Sequence, residues 1–387
     1  MKTFPARAFR TAPAPARASA NPAPRRLALA AALALGGASL LAAHDALAQT
    51  AADRPPAEMA RTGTTYDADR GMQQVLDTLG AMNGKPIETL TPEQARKQPT
   101  PADAAKAVAG KQGKPVEPGK AVPGVTSTDR SIPGPAGPLP VRVYTPQGQG
   151  PFPVIVYYHG GGWVIADKEV YDSGARGLAG EAEAVVVSVD YRRAPEARFP
   201  AAWDDALAAY RWVAQNAGQI KGDPKKLALA GESAGGNLAV STAIAARNAG
   251  LTPPVHVLAV YPVAQTGNLS TDSYVDSAQA KPLNKPMIAW FVEHTFASAA
   301  DKSDPKVDLV NAKLAGLPPV TIINAEIDPL RSDGEMLEDA LEKAGVEVDR
   351  KLYEGTAHEF FGMAAVVDDA EDAQEYAGER LRESFDR

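Results

Sequence analysis

The sequence predicts an α/β fold in which a mostly parallel central sheet is covered by helices on both faces. From Val125 onward, β-branched and apolar runs alternate with stretches of helical periodicity. Several of these runs are apolar at nearly every position, as strands buried on both faces are; a sheet with one wet face would alternate apolar and polar residues. Helices in the gaps then have a sheet face to cover on either side.

The strand runs are 139–144, 153–158, 184–189, 226–230, 255–263, 320–325 and 346–353, and the helical patterns between and after them are 201–217, 235–248, 333–344 and 368–385. These elements belong to one α/β domain over 125–387. A chain of 387 residues holds one such core with decorations, because single cores stop growing near about 250–300 residues. The rhythm breaks between 265 and 315. No strand is evident there, yet Met287, Ile288, Trp290, Phe291, Val292 and Phe296 form an aromatic-rich patch. Two readings stand: half of a lid with apolar residues toward substrate, or a surface helix docked by its aromatic face.

Ahead of the domain, Met72, Val75, Leu76, Leu79 and Met82 recur at helical spacing, and Thr91-Pro92-Glu93 reads as an N-cap with proline at the first helical position. These helices have no core of their own and must lie on something larger, either as a lid or as plain surface packing. They form an N-terminal helical cap and linker over 72–124, in which 97–124 is Pro-, Lys-, Gly- and Ala-rich without a period. Residues 49–71 read as a polar, Ala/Pro-rich flexible leader. The first 48 residues read as a signal peptide. Arg7, Arg10, Arg17, Arg25 and Arg26 precede an apolar run over 27–43, and Ala46-Leu47-Ala48 is a small-x-small cleavage pattern. An uncleaved anchor is the alternative, but Gly36-Gly37 interrupts a run already short for a span. The mature protein is therefore expected to be exported, with no stable membrane partner; Sec and twin-arginine routes both remain open.

Composition narrows the chemistry. A net charge of -7 with no basic stripe argues against a nucleic-acid partner. The absence of cysteine excludes a thiol nucleophile, a Cys-ligated zinc and any disulfide. Gly231-Glu232-Ser233-Ala234-Gly235 is a GxSxG between a strand and a helix, the context in which a sharp turn lifts a serine hydroxyl to the sheet edge. Serine needs a base, and there are five histidines. His44 is in the signal segment, His159 in a glycine loop, His256 at a strand start and His294 in the insertion. His358 follows the last strand on a loop from which an imidazole can reach Ser233. The acid that orients it belongs at a strand end between serine and histidine in sequence. Asp328, before Pro329-Leu330, fits. Glu326 and Asp333 are rivals, and Asp333, opening a helix, suits capping better. His159-Gly160-Gly161-Gly162-Trp163 follows a strand, and the Gly160, Gly161 and Ala234 amides are candidate donors to an oxyanion. A phosphate loop is disfavoured, since no Lys-Ser/Thr pair follows. Trp163, Tyr191 and Phe360 are candidate substrate contacts, with plain packing the alternative.

HGGGW at His159, GESAGG at Gly231, DPL at Asp328, GTAHEF at Gly355 and the segment from Tyr191 to Ala206 together resemble the hormone-sensitive-lipase-like (family IV) bacterial esterases, from about Met72 to the C-terminus. The resemblance implies an α/β-hydrolase fold with a helical cap and hydrolysis of short- to medium-chain carboxylic esters, without metal or cofactor. A small-molecule ester is then the partner. It also implies Ser233, Asp328 and His358 as triad, Gly160, Gly161 and Ala234 as oxyanion donors, and His159 as the brace of the glycine loop. Glu232 and Arg193 depart from the usual family residues, so substrate preference does not carry over. Lactone, amide or polyester-fragment hydrolysis on the same triad stays as an alternative because leaving-group choice depends on the cap, and a non-catalytic binding protein stays because fold does not fix function.

Overall fold

The computed structural model describes residues 66–387. The expected signal peptide and most of the expected leader lie outside the described residues. A sheet of eight strands runs in the order β1-β2-β4-β3-β5-β6-β7-β8. Its strands are β1 (Val125–Gly134), β2 (Gly137–Pro146), β3 (Phe152–Tyr158), β4 (Val185–Val189), β5 (Gly222–Glu232), β6 (His256–Val260), β7 (Val320–Ile327) and β8 (Val348–Ala357). Pairing is antiparallel from β1 to β2 and from β2 to β4, and parallel from there on.

Alternation along β3 shows why its sequence is apolar throughout. Val154, Val156 and Tyr158 enter one core, while Ile155 and Tyr157 enter the other. The first face is covered by α4 (Ala201–Asn216), α5 (Ala234–Asn248) and α7 (Arg331–Lys343), through residues such as Ala206, Leu238 and Leu337. The second is covered by α3 (Asp172–Glu181) and α8 (Asp368–Asp386), through Leu178, Ala373 and Leu381. Two further helices, α1 (Arg70–Ala81) and α2 (Pro101–Lys111), add Met72, Val75, Ala104 and Val108 to this second core.

Several elements differ from the sequence expectation. β1 has no apolar run because it is an edge strand with a mostly exposed pattern, and of its residues only Val125 and Ile132 are buried. β6 ends at Val260 rather than at 263, where Tyr261 turns the chain with φ 34. β8 starts at Val348 and runs on to Ala357, four residues past the expected end. The stretch 97–124 is not patternless. α2 lies within it, N-capped by Thr100 in a capping box with Asp103 and with proline at the start. Its buried face is mostly alanine, which a hydrophobic-periodicity reading undercounts. α1 likewise takes in the last two residues of the expected leader, and it is capped by Asp69, whose side chain accepts from the Met72 amide at 2.6 Å.

Candidate active site

The site forms where three strand ends meet. β5 ends at Glu232, and Ser233 follows with φ 57 and ψ -118 before α5 begins at Ala234. That backbone is disfavoured for a residue with a Cβ and holds only because the turn is locked. The Ser233 amide donates to the Val260 carbonyl at 2.9 Å, and the Ser233 carbonyl accepts from Asn237 and Val263. The flanking glycines are required by contact. A Cβ at Gly231 would strike the Gly235 carbonyl, and one at Gly235 would strike the Tyr158 carbonyl.

His358 Nε2 lies 2.9 Å from Ser233 Oγ, and His358 Nδ1 lies 2.7 Å from Asp328 Oδ2. The other Asp328 oxygen accepts from the Leu330 amide at 2.8 Å, which fixes the carboxylate plane. All three side chains are buried, Asp328 completely. Burial opposes charge on His358, but Asp328, and after it Glu359 and Glu232, outweigh burial and raise its pKa above the ordinary imidazole value. The geometry therefore brings together the serine, histidine and aspartate that the sequence singled out. The remaining described histidines have other partners. His256 sits between Ser384 and Thr321, and His294 caps back onto the Trp290 carbonyl.

The rival acids hold loops of the site in place. Glu326 accepts from the Gly355 amide at 2.8 Å, three positions before His358. Asp333 does not cap its own helix, contrary to the sequence expectation. Its carboxylate accepts from the Ala264 and Gln265 amides, 2.9 and 3.2 Å away, and so ties the start of the insertion to α7. Burial pushes its carboxyl up to about 7 even against these bonds.

An apolar cavity of about 40 Å³ opens onto Ser233 and His358. Gly161, Gly162 and Trp163 form one wall, and Met287, Ile288, Phe291 and Val292 of α6 (Lys285–Thr295) form another. The ring of Phe291 packs so closely on Gly162 that a Cβ there would overlap it. Gly160 packs under the Tyr171 hydroxyl, and Ala234 opens the helix directly after the serine. His159 supports this loop, with Nδ1 2.8 Å from the Gly160 carbonyl and its ring stacked on Tyr191 at 4.2 Å.

The expected substrate contacts are only partly met. Trp163 lines the cavity. Tyr191 does not; its hydroxyl donates to the His159 carbonyl at 2.8 Å, which makes it part of the loop's support. Phe360 does not either, being fully buried against Tyr261 and Tyr353. In the insertion the two readings divide residue by residue. Four apolar side chains of α6 face the cavity, while Phe296 docks on Trp163, Phe199 and Trp203. Trp290 instead donates its indole N–H to the Leu90 carbonyl. The segment before the domain thus braces α6 from outside, helped by Arg96, which bonds the Val164 and Ala194 carbonyls and Glu196. Residues the sequence reading missed include Leu330, two positions after the Asp328 that marked the loop, and Glu359, a lone acid between His358 and two phenylalanines.

With this geometry in place, a family model described as alpha/beta hydrolase fold matches residues 155–362. The chain belongs to the hormone-sensitive-lipase-like α/β-hydrolase family. Relatives of this α/β hydrolase include the carboxylesterase NlhH of Mycobacterium tuberculosis, 42% identical over 240 residues that cover 61% of this chain and 75% of the relative. The ethyl acetate hydrolase of Pseudomonas putida is 31% identical over 304 residues, 77% of this chain and 92% of the relative. Among solved structures, a hyperthermophilic esterase from the archaeon Pyrobaculum calidifontis superposes with a TM-score of 0.75 at 33% identity, covering 82% of this hydrolase and 98% of that chain.

Proposed function

We propose that the protein is a serine carboxylic ester hydrolase acting through an acyl-enzyme on esters with small acyl groups. The observation that carries this is the unbroken line from Ser233 Oγ to His358 Nε2 and from His358 Nδ1 to Asp328, at 2.9 and 2.7 Å, beside an apolar cavity. His358 takes the proton of Ser233 as its oxygen attacks the ester carbonyl. The amides of Gly160, Gly161 and Ala234 receive the developing oxyanion, each worth roughly 3–4 kcal/mol of barrier in comparable sites. His358 then protonates the leaving alcohol, and water repeats the attack on the acyl-enzyme. The family membership and the esterase names of its relatives support the same reaction. The test is hydrolysis of p-nitrophenyl esters from acetate to palmitate by the purified protein; no turnover on any of them would sink the proposal.

The small cavity supports the acyl preference, and Phe291, packed against Gly162, is one of its walls. Phe291→Ala should move the optimum toward longer chains. Each buried methylene is worth about 0.8 kcal/mol, so room for two more should raise kcat/KM for hexanoate relative to butyrate roughly tenfold. An unchanged ratio in the p-nitrophenyl series would place the acyl group elsewhere.

Export of the mature enzyme is also proposed, on the basic stretch, the apolar run 27–43 and the small-x-small pattern ending at Ala48. N-terminal sequencing of the protein recovered outside the cytoplasm should begin at Gln49. Recovery only in the cytoplasm with Met1 intact would refute it.

A further inference from the structure

Behind the triad lies a second chamber that the steps above do not use. Tyr171, Gly174, Glu232, Glu359, Gly362 and Met363 line it, and its volume of about 20 Å³ holds about one water. Glu232 is buried, and the Tyr157 and Tyr261 hydroxyls donate to its two carboxylate oxygens. The ring of Tyr261 also packs on His358, 4.6 Å away. The buried Tyr171 hydroxyl borders the chamber and favours the charged form of the Glu359 carboxyl. Glu359 borders both this chamber and the cavity over Ser233. It does so with φ 69, a backbone conformation that glycine adopts freely and that a residue with a Cβ resists. An ionisable side chain therefore occupies a strained position next to the base.

We propose, resting on the esterase reading above, that Glu359 is a positioning residue for the base: its carboxylate, set beside Glu232 at the chamber, favours protonated His358 and so fixes the low-pH limit of turnover. The groups that act on Glu359 come from several elements. His358 adjoins it in sequence, Asp328 comes from the end of β7, Glu232 from the end of β5, and the Tyr171 hydroxyl from the start of α3. From α2 only Ala102 reaches the chamber, while Asp103 and Lys106 are exposed. The turn Phe360–Met363 brings no titratable group. Burial pushes the Glu359 carboxyl up, with His358 and Tyr171 opposing and Asp328 reinforcing the shift. Burial likewise pushes Glu232 up to about 7. Like charges in one chamber share protons rather than all ionise, so Glu232 and Glu359 titrate as a coupled pair beside one imidazole.

The sign of the effect is fixed. Removing a negative charge near an imidazole makes its cationic form less favourable, so the base stays neutral, and active, to lower pH. The experiment is the pH profile of kcat/KM for p-nitrophenyl acetate with the full chain, Glu359→Gln and Glu359→Gly, together with NMR titration of the His358 imidazole in each. In both variants the acid limb should fall by about half a pH unit or more, leaving about threefold more of the plateau activity on its low-pH side, and the His358 titration should move the same way. An acid limb that stays in place while activity drops equally at every pH would overturn the proposal, since lost packing does that. Glu359→Gly relieves the positive φ and carries the test if the glutamine variant does not fold. Should the wild-type chain hydrolyse no ester, the esterase reading fails, and the NMR titration still decides the role of Glu359.

Discussion

Ser233→Ala should leave a folded protein whose turnover of p-nitrophenyl esters is down by on the order of 10⁴-fold or more. The hydroxyl is the only atom lost, and in the resting structure its hydrogen bond is with His358 Nε2. The turn that holds residue 233 is built from backbone contacts, namely the amide to Val260 and the carbonyl to Asn237 and Val263, none of which needs the side chain. Alanine tolerates φ 57 about as poorly as serine does, so the strain at this position is unchanged. Stability should thus shift by no more than about 1 kcal/mol, the net worth of one hydrogen bond. The glycine loop and cavity remain, so any residual rate reports the oxyanion amides together with substrate binding. The check is kcat beside a thermal melt. A variant that melts like the wild type and keeps most of its activity would remove Ser233 as nucleophile.

The parts of this molecule that were legible in the sequence are those whose local chemistry is unusual. A strand buried on both faces must be apolar throughout, so β3, β4, β5 and β7 stand out. A strand-to-helix turn this tight must have small neighbours, so Gly231 and Gly235 bracket Ser233 visibly. The elements that did not stand out share the opposite property. β1 lies at the sheet edge and faces water on most of its length, and α2 buries a face made of alanine, so neither leaves an apolar signature. Side-chain direction was likewise beyond the sequence. Tyr191 and Phe360 flank the site in sequence but turn away from the cavity, one under the glycine loop and the other into the core between the sheet and α8. Within α6 the four cavity-facing residues and Trp290 differ only in helical phase relative to a wall whose position the sequence does not encode. Glu359 is visible as a charged residue in an apolar stretch, but its reach into two cavities is a product of the left-handed turn at that position.

The sequence favours Asp328 over its rivals Glu326 and Asp333 as the orienting acid, and testing that preference yields the second large effect. Asp328→Asn should lower kcat by roughly 10³- to 10⁴-fold, because an amide nitrogen presented to His358 Nδ1 favours the tautomer with its proton on Nε2, where it cannot accept from Ser233. The asparagine oxygen can still take the Leu330 amide, now 2.8 Å from Asp328, so the loop should hold its shape. Removing a carboxylate 2.7 Å from the imidazole also lowers the His358 pKa, so what activity remains should extend to lower pH than in the wild type. Glu326→Gln and Asp333→Asn should behave differently. Each retains an oxygen for the backbone amides it now accepts from, and neither touches His358, so their cost should fall on the melting temperature rather than on kcat. The three variants, compared by kcat and by thermal melt, separate the acid that orients the base from the two that hold its loops. If Glu326→Gln or Asp333→Asn lost as much kcat as Asp328→Asn while melting normally, the orienting acid would be reassigned to that residue.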